Sequence, residues 1–474
     1  MSMPAVRDND QMHGAGSPPA VPEPGLTLVL GMGGTGVSCA RFLASRGQRA
    51  IFADTRRVPP GQAAIRAAMP DATLVSGEAL AAVPADVVRI LVSPGVDLKS
   101  AVLNDARQRG VPVLSDIDLF AAEATAPITA ITGSNGKSTV TAMVGAMLAN
   151  STADQNLDVA VGGNLGTPAL ELLSPTVSHY VLELSSFQLE RSAPVPVAAS
   201  VVLNVTPDHL DVHGDMAHYQ AAKARIYARC GVAIVNRDEP ELAELVPVGT
   251  PVIGFGLEVP APGDFGVITH DDSPWLAHGA EPLMPVAALS VTGRHNVSNA
   301  MAALALASVS VTDVRSLLPG LRGFKALPHR MALVARRGGV TFVDDSKATN
   351  VGAAVASIGS VDGPLVLIAG GDAKGASFET IAAALNGREC AAILLGRDRD
   401  LLAAALDPIC PVHRVADMPS AVHLAAQLAR PGWTVLLAPA CSSLDMYTDY
   451  SARGRAFSDA VLALPLINTG AGDE

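Results

Sequence analysis

Apolar residues in this chain fall mainly into short unbroken runs, not into alternation. LTLVL (26–30), RAIFAD (49–54), ILVSPGV (90–96) and PITAIT (127–132) are of this kind. Runs of that length, closed by Gly, Pro or polar clusters, predict strands buried on both faces, as in parallel sheets. HYVLELSSFQLE (179–190) predicts a strand that brings Glu183 to its C-terminal end, and VAASVVLNVTPDHLD (197–211) one that ends in Asn204, Thr206, Asp208 and His209. Longer stretches between the runs carry helical spacing: VSCARFLASRG (37–47), TVTAMVGAMLA (139–149), AHYQAAKARIYARC (217–230) and the Ala-rich GRHNVSNAMAALALAS (293–308). Strand and helix in alternation predict an α/β fold built on parallel sheets.

The pattern changes twice. VPVLSDIDLF (111–120) leads out of the first unit, and from 232 to about 292 short runs with Pro and Gly predict β-hairpins and loops at a sheet edge. Strand-like runs resume at 341–345, 365–371, 391–396, 413–416 and 434–440, which predicts a second doubly wound sheet. The 474 residues suit about two to four domains. The division expected is a disordered tail (1–24), a Rossmann-like domain (25–115), a P-loop ATPase-like central domain with a parallel sheet and edge hairpins (116–326), and a Rossmann-like C-terminal domain (327–474). The tail has no apolar core of the kind a signal peptide needs.

Composition narrows the classes. The 49% hydrophobic and 16% charged content suits buried parallel sheets, and the net charge of −12 disfavours a nucleic-acid partner. The five cysteines (Cys39, Cys230, Cys390, Cys410, Cys441) form no C-x-x-C pair, which argues against zinc or a disulfide framework and fits a reducing cytoplasm. No run qualifies as a membrane span.

Two glycine-rich turns carry candidate chemistry. GMGGTG (31–36) between the first strand and helix, with Asp54 ending the next strand, fits a nucleotide or phosphate ligand, and taken alone suggests a dinucleotide. ITGSNGKST (131–139) is a contracted Walker turn in a strand–turn–helix setting. Its backbone N–H groups, from Gly133, Ser134, Asn135 and Gly136 onward, face an anion, Lys137 adds positive charge, and Ser138 can hold Mg²⁺. Ligands of open parallel sheets sit outside the carboxyl ends of strands, so Lys137, Glu183 and His209 are expected to converge. Further polar clusters end strands at DDSKATN (344–350), GGDAKG (370–375) and PACSSLDMY (439–447).

Taken together with GGNLG (162–166), LELSSFQLE (182–190), YQAAKARIY (219–227) and PHR (328–330), these runs resemble the Mur ligase family over essentially the whole chain after the tail. ELSSFQLE and DSKATN resemble the branch that adds D-glutamate. The resemblance implies an ATP-dependent amide ligase of cytoplasmic peptidoglycan precursor synthesis. It would join D-glutamate to UDP-N-acetylmuramoyl-L-alanine through an acyl phosphate, as a monomer with two Mg²⁺ sites. It replaces the dinucleotide with UDP, contacted by Gly34, Thr35, Asp54, Thr55, Arg56, Ser93 and Gly95, with Asn164 and His209 on the muramoyl part. ATP phosphates and metal fall to residues 133–139, with Lys137, Ser138 and Thr139 foremost. Asn299, Arg330 and Asp345 meet adenine, phosphate and ribose. Ser138, Glu183, His209 and Lys223 are the implied metal ligands, Lys223 as a carbamate, a reaction that needs a neutral amine. Lys137, Glu183, His209, Lys223 and Arg330 are the implied catalytic set. Lys347, Thr349, Lys374, Ser443 and Tyr450 are the implied D-glutamate contacts. Tyr450 stands where the family pattern has Phe, and Val212 where a basic residue is common. A hinge is expected near 323–327. Sister ligases and folylpolyglutamate-type synthetases would share the P-loop. A nicotinamide dehydrogenase would explain residues 31–36 but not DSKATN.

Overall fold

The computed structural model describes residues 25–152, 157–291 and 293–465, so the predicted tail lies outside the described residues. Three sheets follow one another along the chain. The first is parallel and five-stranded, in the order Thr73–Ser76, Ala50–Asp54, Leu26–Leu30, Val87–Val92, Val113–Leu114. Its nucleotide-type turn leads into the helix Gly34–Ser45, and a Cβ at Gly36 would stand 2.2 Å from the Gly31 carbonyl oxygen. Only glycine allows that approach of helix to strand.

The 111–120 run is a two-residue strand followed by the helix Asp116–Glu123, so it does not simply lead away from the unit. A capping box at Ser115 and Asp118 starts this helix. Asp118 also accepts from Ala193 N at 2.7 Å, and the Phe120 ring meets Tyr180 edge-on, which ties the helix to the central domain.

The second sheet has nine strands. Its mostly parallel body runs Val159–Gly163, His179–Glu183, Ile128–Thr132, Val197–Val202, Cys230–Asn236, Val252–Phe255. The 179–190 strand ends at Glu183 as expected, and the residues beyond it form a helix, Ser186–Arg191, started by a capping box of Ser185 and Gln188. One sequence expectation is corrected here. The 232–292 region is not only hairpins. Cys230–Asn236, Val252–Phe255 and Phe265–His270 join in parallel, the first two with the 3-10 turn Pro240–Leu245 between them, and only Phe265–His270, Ser273–His278 and Glu281–Pro285 pair antiparallel.

The third sheet is ordered Ala332–Arg337, Val340–Asp344, Thr434–Leu437, Leu365–Gly370, Cys390–Leu395, Val412–Arg414. Its interior strands pair with one another in parallel, as the sequence predicts, and the two central ones, Leu365–Gly370 and Cys390–Leu395, are buried throughout. The antiparallel edge strand Ala332–Arg337 is not in the sequence reading; its short apolar stretch runs directly into Arg336 and Arg337, and none of its residues is fully buried. Among the described residues no helix is long and apolar enough to cross a membrane.

Candidate active site

The phosphate turn is the joint between a buried strand, Ile128–Thr132, and the helix Lys137–Ala149. Gly136 turns the chain at φ 83°, where a Cβ would also stand 2.6 Å from Asn299 Oδ1. The turn is braced from the neighbouring strand end. Ser134 Oγ donates to the Thr206 carbonyl (2.9 Å), Asn135 N donates to Asn204 Oδ1 (2.8 Å), and Asn204 Nδ2 donates back to the Asn135 carbonyl (3.1 Å). This brace fixes the backbone donors that an anion would meet.

Lys137 Nζ donates to the Gly133 and Ser134 carbonyls at 2.7 and 2.9 Å. Lys223, 1% exposed, donates to the same Gly133 carbonyl at 2.9 Å and lies 4.3 Å from the centre of the Tyr219 ring. Burial first, and Lys137 second, pull the Lys223 amine well below its ordinary range; burial likewise lowers Lys137. Two ammonium groups at one carbonyl are mutually costly, so losing the proton from Lys223 relieves the pair.

Glu183 is 2% exposed at its strand end, with Oε1 accepting from Asn164 Nδ2 at 2.7 Å. Its Oε2 is buried with no hydrogen-bond partner among the described residues, and so is Thr132 Oγ1. A buried carboxylate oxygen without a partner is costly unless a cation fills the role. Ser138 lines the same cavity, and oxygen donors of this kind are the type Mg²⁺ takes. Among the described residues no three His, Cys, Asp or Glu come together as a metal cluster. His209 follows Asp208 in a left-handed conformation (φ 54°), uncommon for a side chain with a Cβ, and its ring meets Phe187 edge-on at 5.1 Å.

The C-terminal domain supplies the facing wall. Arg330 lines the cavity with no hydrogen-bond partner among the described residues, and burial lowers its pKa. Asp345 accepts from Met331 N (3.2 Å) and Ser357 Oγ, and burial raises its carboxyl to about 6. Lys347 stands 4.3 Å from the Tyr450 ring centre, and burial, then Arg330 and Lys137, lower it to about 8.

These walls enclose one cavity of about 640 Å³. Of the residues singled out by sequence, Ser134–Thr139 (134–139), Asn164, Glu183, His209, Lys223, Asn299, Arg330, Asp345, Lys347 and Thr349 line it. Gly133 contributes its carbonyl from behind. Gly34, Thr35, Asp54, Thr55, Arg56, Ser93 and Gly95 do not line it; they gather at the carboxyl ends of the first sheet, and Pro94 alone reaches the cavity from that domain. Asp54 there accepts from Met32 N (2.8 Å) and pairs with Arg56 (2.7 Å), which lowers its carboxyl to about 2. Lys374, Ser443 and Tyr450 also lie outside the lining, Lys374 exposed and Ser443 buried. Missed by sequence reasoning as site residues are Phe187, Asn204, Thr206, Asp208, Tyr219 and Asn350, all on the lining. For all of them but Tyr219, which lies inside the helix Met216–Ala224, the signal available was a place in the run that follows a strand.

Three family models match in succession: the MurD-like N-terminal domain over 26–115, the Mur ligase middle domain over 131–307, and the Mur ligase glutamate ligase domain over 329–441. The chain belongs to the Mur ligase family. Its similarity is to the UDP-N-acetylmuramoylalanine–D-glutamate ligases in particular. That of Nitrosococcus oceani is 45% identical over 438 residues, 92% of this chain and 96% of that protein. That of Pseudomonas aeruginosa is 46% identical over 439 residues, 92% and 97%. In fold the chain also resembles the solved UDP-N-acetylmuramate-alanine ligase of Thermotoga maritima, with a TM-score of 0.58, 18% identity, and coverage of 92% and 98%.

Proposed function

We propose that this chain joins D-glutamate to UDP-N-acetylmuramoyl-L-alanine at the expense of ATP. The observation that carries the reading is the single cavity in which a phosphate turn, a partnerless carboxylate oxygen and a cationic wall face one another across two domains. The substrate's terminal carboxylate attacks the γ-phosphate of ATP, giving an acyl phosphate and ADP. The D-glutamate amine then attacks the acyl carbon and phosphate leaves. Lys137 and Arg330 neutralise charge on the phosphoryl group, in keeping with catalysis by positioning and electrostatics.

Mg²⁺ held by Ser138 and Glu183, with a second site at His209 and Lys223, would offset phosphate charge. The depressed Lys223 amine supports carbamate formation, because carbon dioxide reacts with the neutral form. Asn299 and Asp345 flank the adenosine. Gly34, Thr35, Asp54, Thr55, Arg56, Ser93 and Gly95 hold UDP, with Asn164 and His209 toward the muramoyl group. Lys347, Thr349, Lys374, Ser443 and Tyr450 receive the two carboxylates of D-glutamate, which explains the lysines and hydroxyls there. The hinge for closing over ATP is near 323–327. The enzyme acts, on this reading, as a monomer in the cytoplasm, where substrates of this kind are used.

Phosphate release with ATP, Mg²⁺, the UDP-linked substrate and a panel of amino acids tests the reading. Release is expected with D-glutamate and not with L-glutamate, L-alanine or diaminopimelate; no release with D-glutamate refutes it. Lys137→Ala should abolish turnover and keep binding of the UDP-linked substrate.

A further inference from the structure

Asn350 joins parts of the molecule that are distant in sequence. It closes the 344–350 segment and is the N-cap of the helix Val351–Gly359, with Oδ1 accepting from Ala353 N at 2.8 Å. The cap occupies the oxygen, so the two amide hydrogens on Nδ2 are left for other partners. Both cross the domain boundary: Nδ2 donates to Asn135 Oδ1 and to Asp208 Oδ2, each at 3.1 Å. Asn135 is in the middle of the phosphate turn, and Asp208 precedes the strained His209. The side chain is buried, at 8% exposure. Two residues on, a Cβ at Gly352 would stand 3.0 Å from Thr206 Oγ1, so the helix start is seated directly on the loop that braces the phosphate turn.

We propose that Asn350 is a positioning residue, a cross-domain latch that sets the C-terminal wall of the cavity in register with the phosphate turn. The proposal rests on the ligase reading above. Only a carboxamide of this length meets all three demands. Aspartate would cap the helix as well but has no donor for Asp208 or Asn135. Serine would cap but would not reach across. The bond to Asp208 has a charged acceptor and is therefore the stronger of the two. Nothing in the latch touches the first sheet, where UDP is held, so its loss should appear in kcat and in the KM for ATP far more than in the KM for the UDP-linked substrate, which meets this loop only through His209.

Asn350→Asp tests this, because it preserves the cap and sets two carboxylates face to face. The expected result is a fall in kcat of roughly 100-fold, a KM for the UDP-linked substrate within about threefold of the wild type, and a melting temperature near that of the wild type. Combining Asp208→Asn with Asn350→Asp restores a donor and an acceptor with the roles exchanged, and should recover about tenfold or more over Asn350→Asp alone. Activity of Asn350→Asp close to wild type, or no recovery in the exchanged pair, overturns the latch. If Asn350→Asp does not fold, Asn350→Ser takes its place: about a tenfold loss in kcat is expected, and wild-type kcat overturns the proposal. Calorimetry with a non-hydrolysable ATP analogue should rank the variants in the same order. A wild type with no D-glutamate-dependent phosphate release refutes the ligase reading, while the calorimetric ranking still decides the latch.

Discussion

Replacing Asp345 by Asn removes a charge from the cavity wall and leaves both hydrogen-bonding positions filled. Met331 N still finds an acceptor, and Ser357 Oγ can accept from the new amide in place of donating. Burial is the main reason that the carboxyl rises from its ordinary 3.8 to about 6, against lowering by Ser357, Met331 and Arg330. A raised acid pKa means that the folded chain binds this proton more tightly than the unfolded chain does. Its contribution to stability is therefore present at low pH, is lost as pH rises from about 4 to 6, and is fully lost above that. A shift of about two units at about 1.4 kcal/mol per unit is a cost on the order of 2–3 kcal/mol. Asn carries none of it. Asp345→Asn should stabilise the C-terminal domain by about 2 kcal/mol at pH 8, with the gain shrinking toward zero near pH 4. Urea titrations in a Trp275→Phe background, where Trp433 beside the strand Thr434–Leu437 is the sole tryptophan, report on that domain. A variant less stable than its parent at pH 8, or a gain that does not vary with pH, refutes the reasoning. The added stability should come with weaker ATP turnover, as is common when a charged site residue is neutralised.

Lys347 gives a second pH signature. With its amine lowered to about 8, the KM for the amino acid should rise as pH passes through 8, and Lys347→Arg should flatten that limb. Stability runs the other way: between about 8 and 10.5 the unfolded chain binds the proton more tightly, so this group favours folding increasingly as pH rises. Steady-state kinetics and denaturation from pH 7 to 10 check both signs; a KM that does not rise above pH 8, or a stability contribution that falls over the same range, contradicts the argument. In the first domain, Gly36→Ala puts a Cβ 2.2 Å from the Gly31 carbonyl, and the resulting overpacking should destabilise that domain by about 1–3 kcal/mol and weaken UDP-substrate binding. Calorimetric unfolding and a binding titration would show it; an unchanged melting profile would contradict it.

What could be read from the sequence was local. Both glycine turns, the strand that bears Glu183 and the strands of the C-terminal sheet are contiguous runs whose chemistry is written in neighbouring residues. The helix Ser186–Arg191 was also written locally, in the S-x-x-Q spacing of Ser185 and Gln188, but was masked by the apolar run before it. The parallel pairing of Val252–Phe255 was hidden, because a short strand flanked by Gly and Pro reads the same whichever way it pairs. The edge strand Ala332–Arg337 gave only a short apolar signal, Met331 to Ala335, cut off by two arginines and a Gly pair, as befits a strand with no fully buried residue. Least legible was anything that crosses domains. The Asn350 bonds span 215 and 142 residues, and no periodicity encodes a contact of that separation.

The strand ladder of the central sheet has a consequence for how this site can change. Ile131 pairs with Glu183 on one side and Val201 on the other, so the phosphate turn, the metal-type carboxylate and the His209 loop hang from three adjacent rungs. Their lateral spacing is the interstrand distance of about 4.8 Å, dictated by backbone hydrogen bonds and common to every sheet. Core substitutions can loosen or tighten the layers above and below, but they cannot rescale this ruler. Divergence toward another nucleotide or metal is thus confined to the loops beyond the rungs. The strands from Phe265 to Pro285, at the far edge, can vary without moving any reacting group.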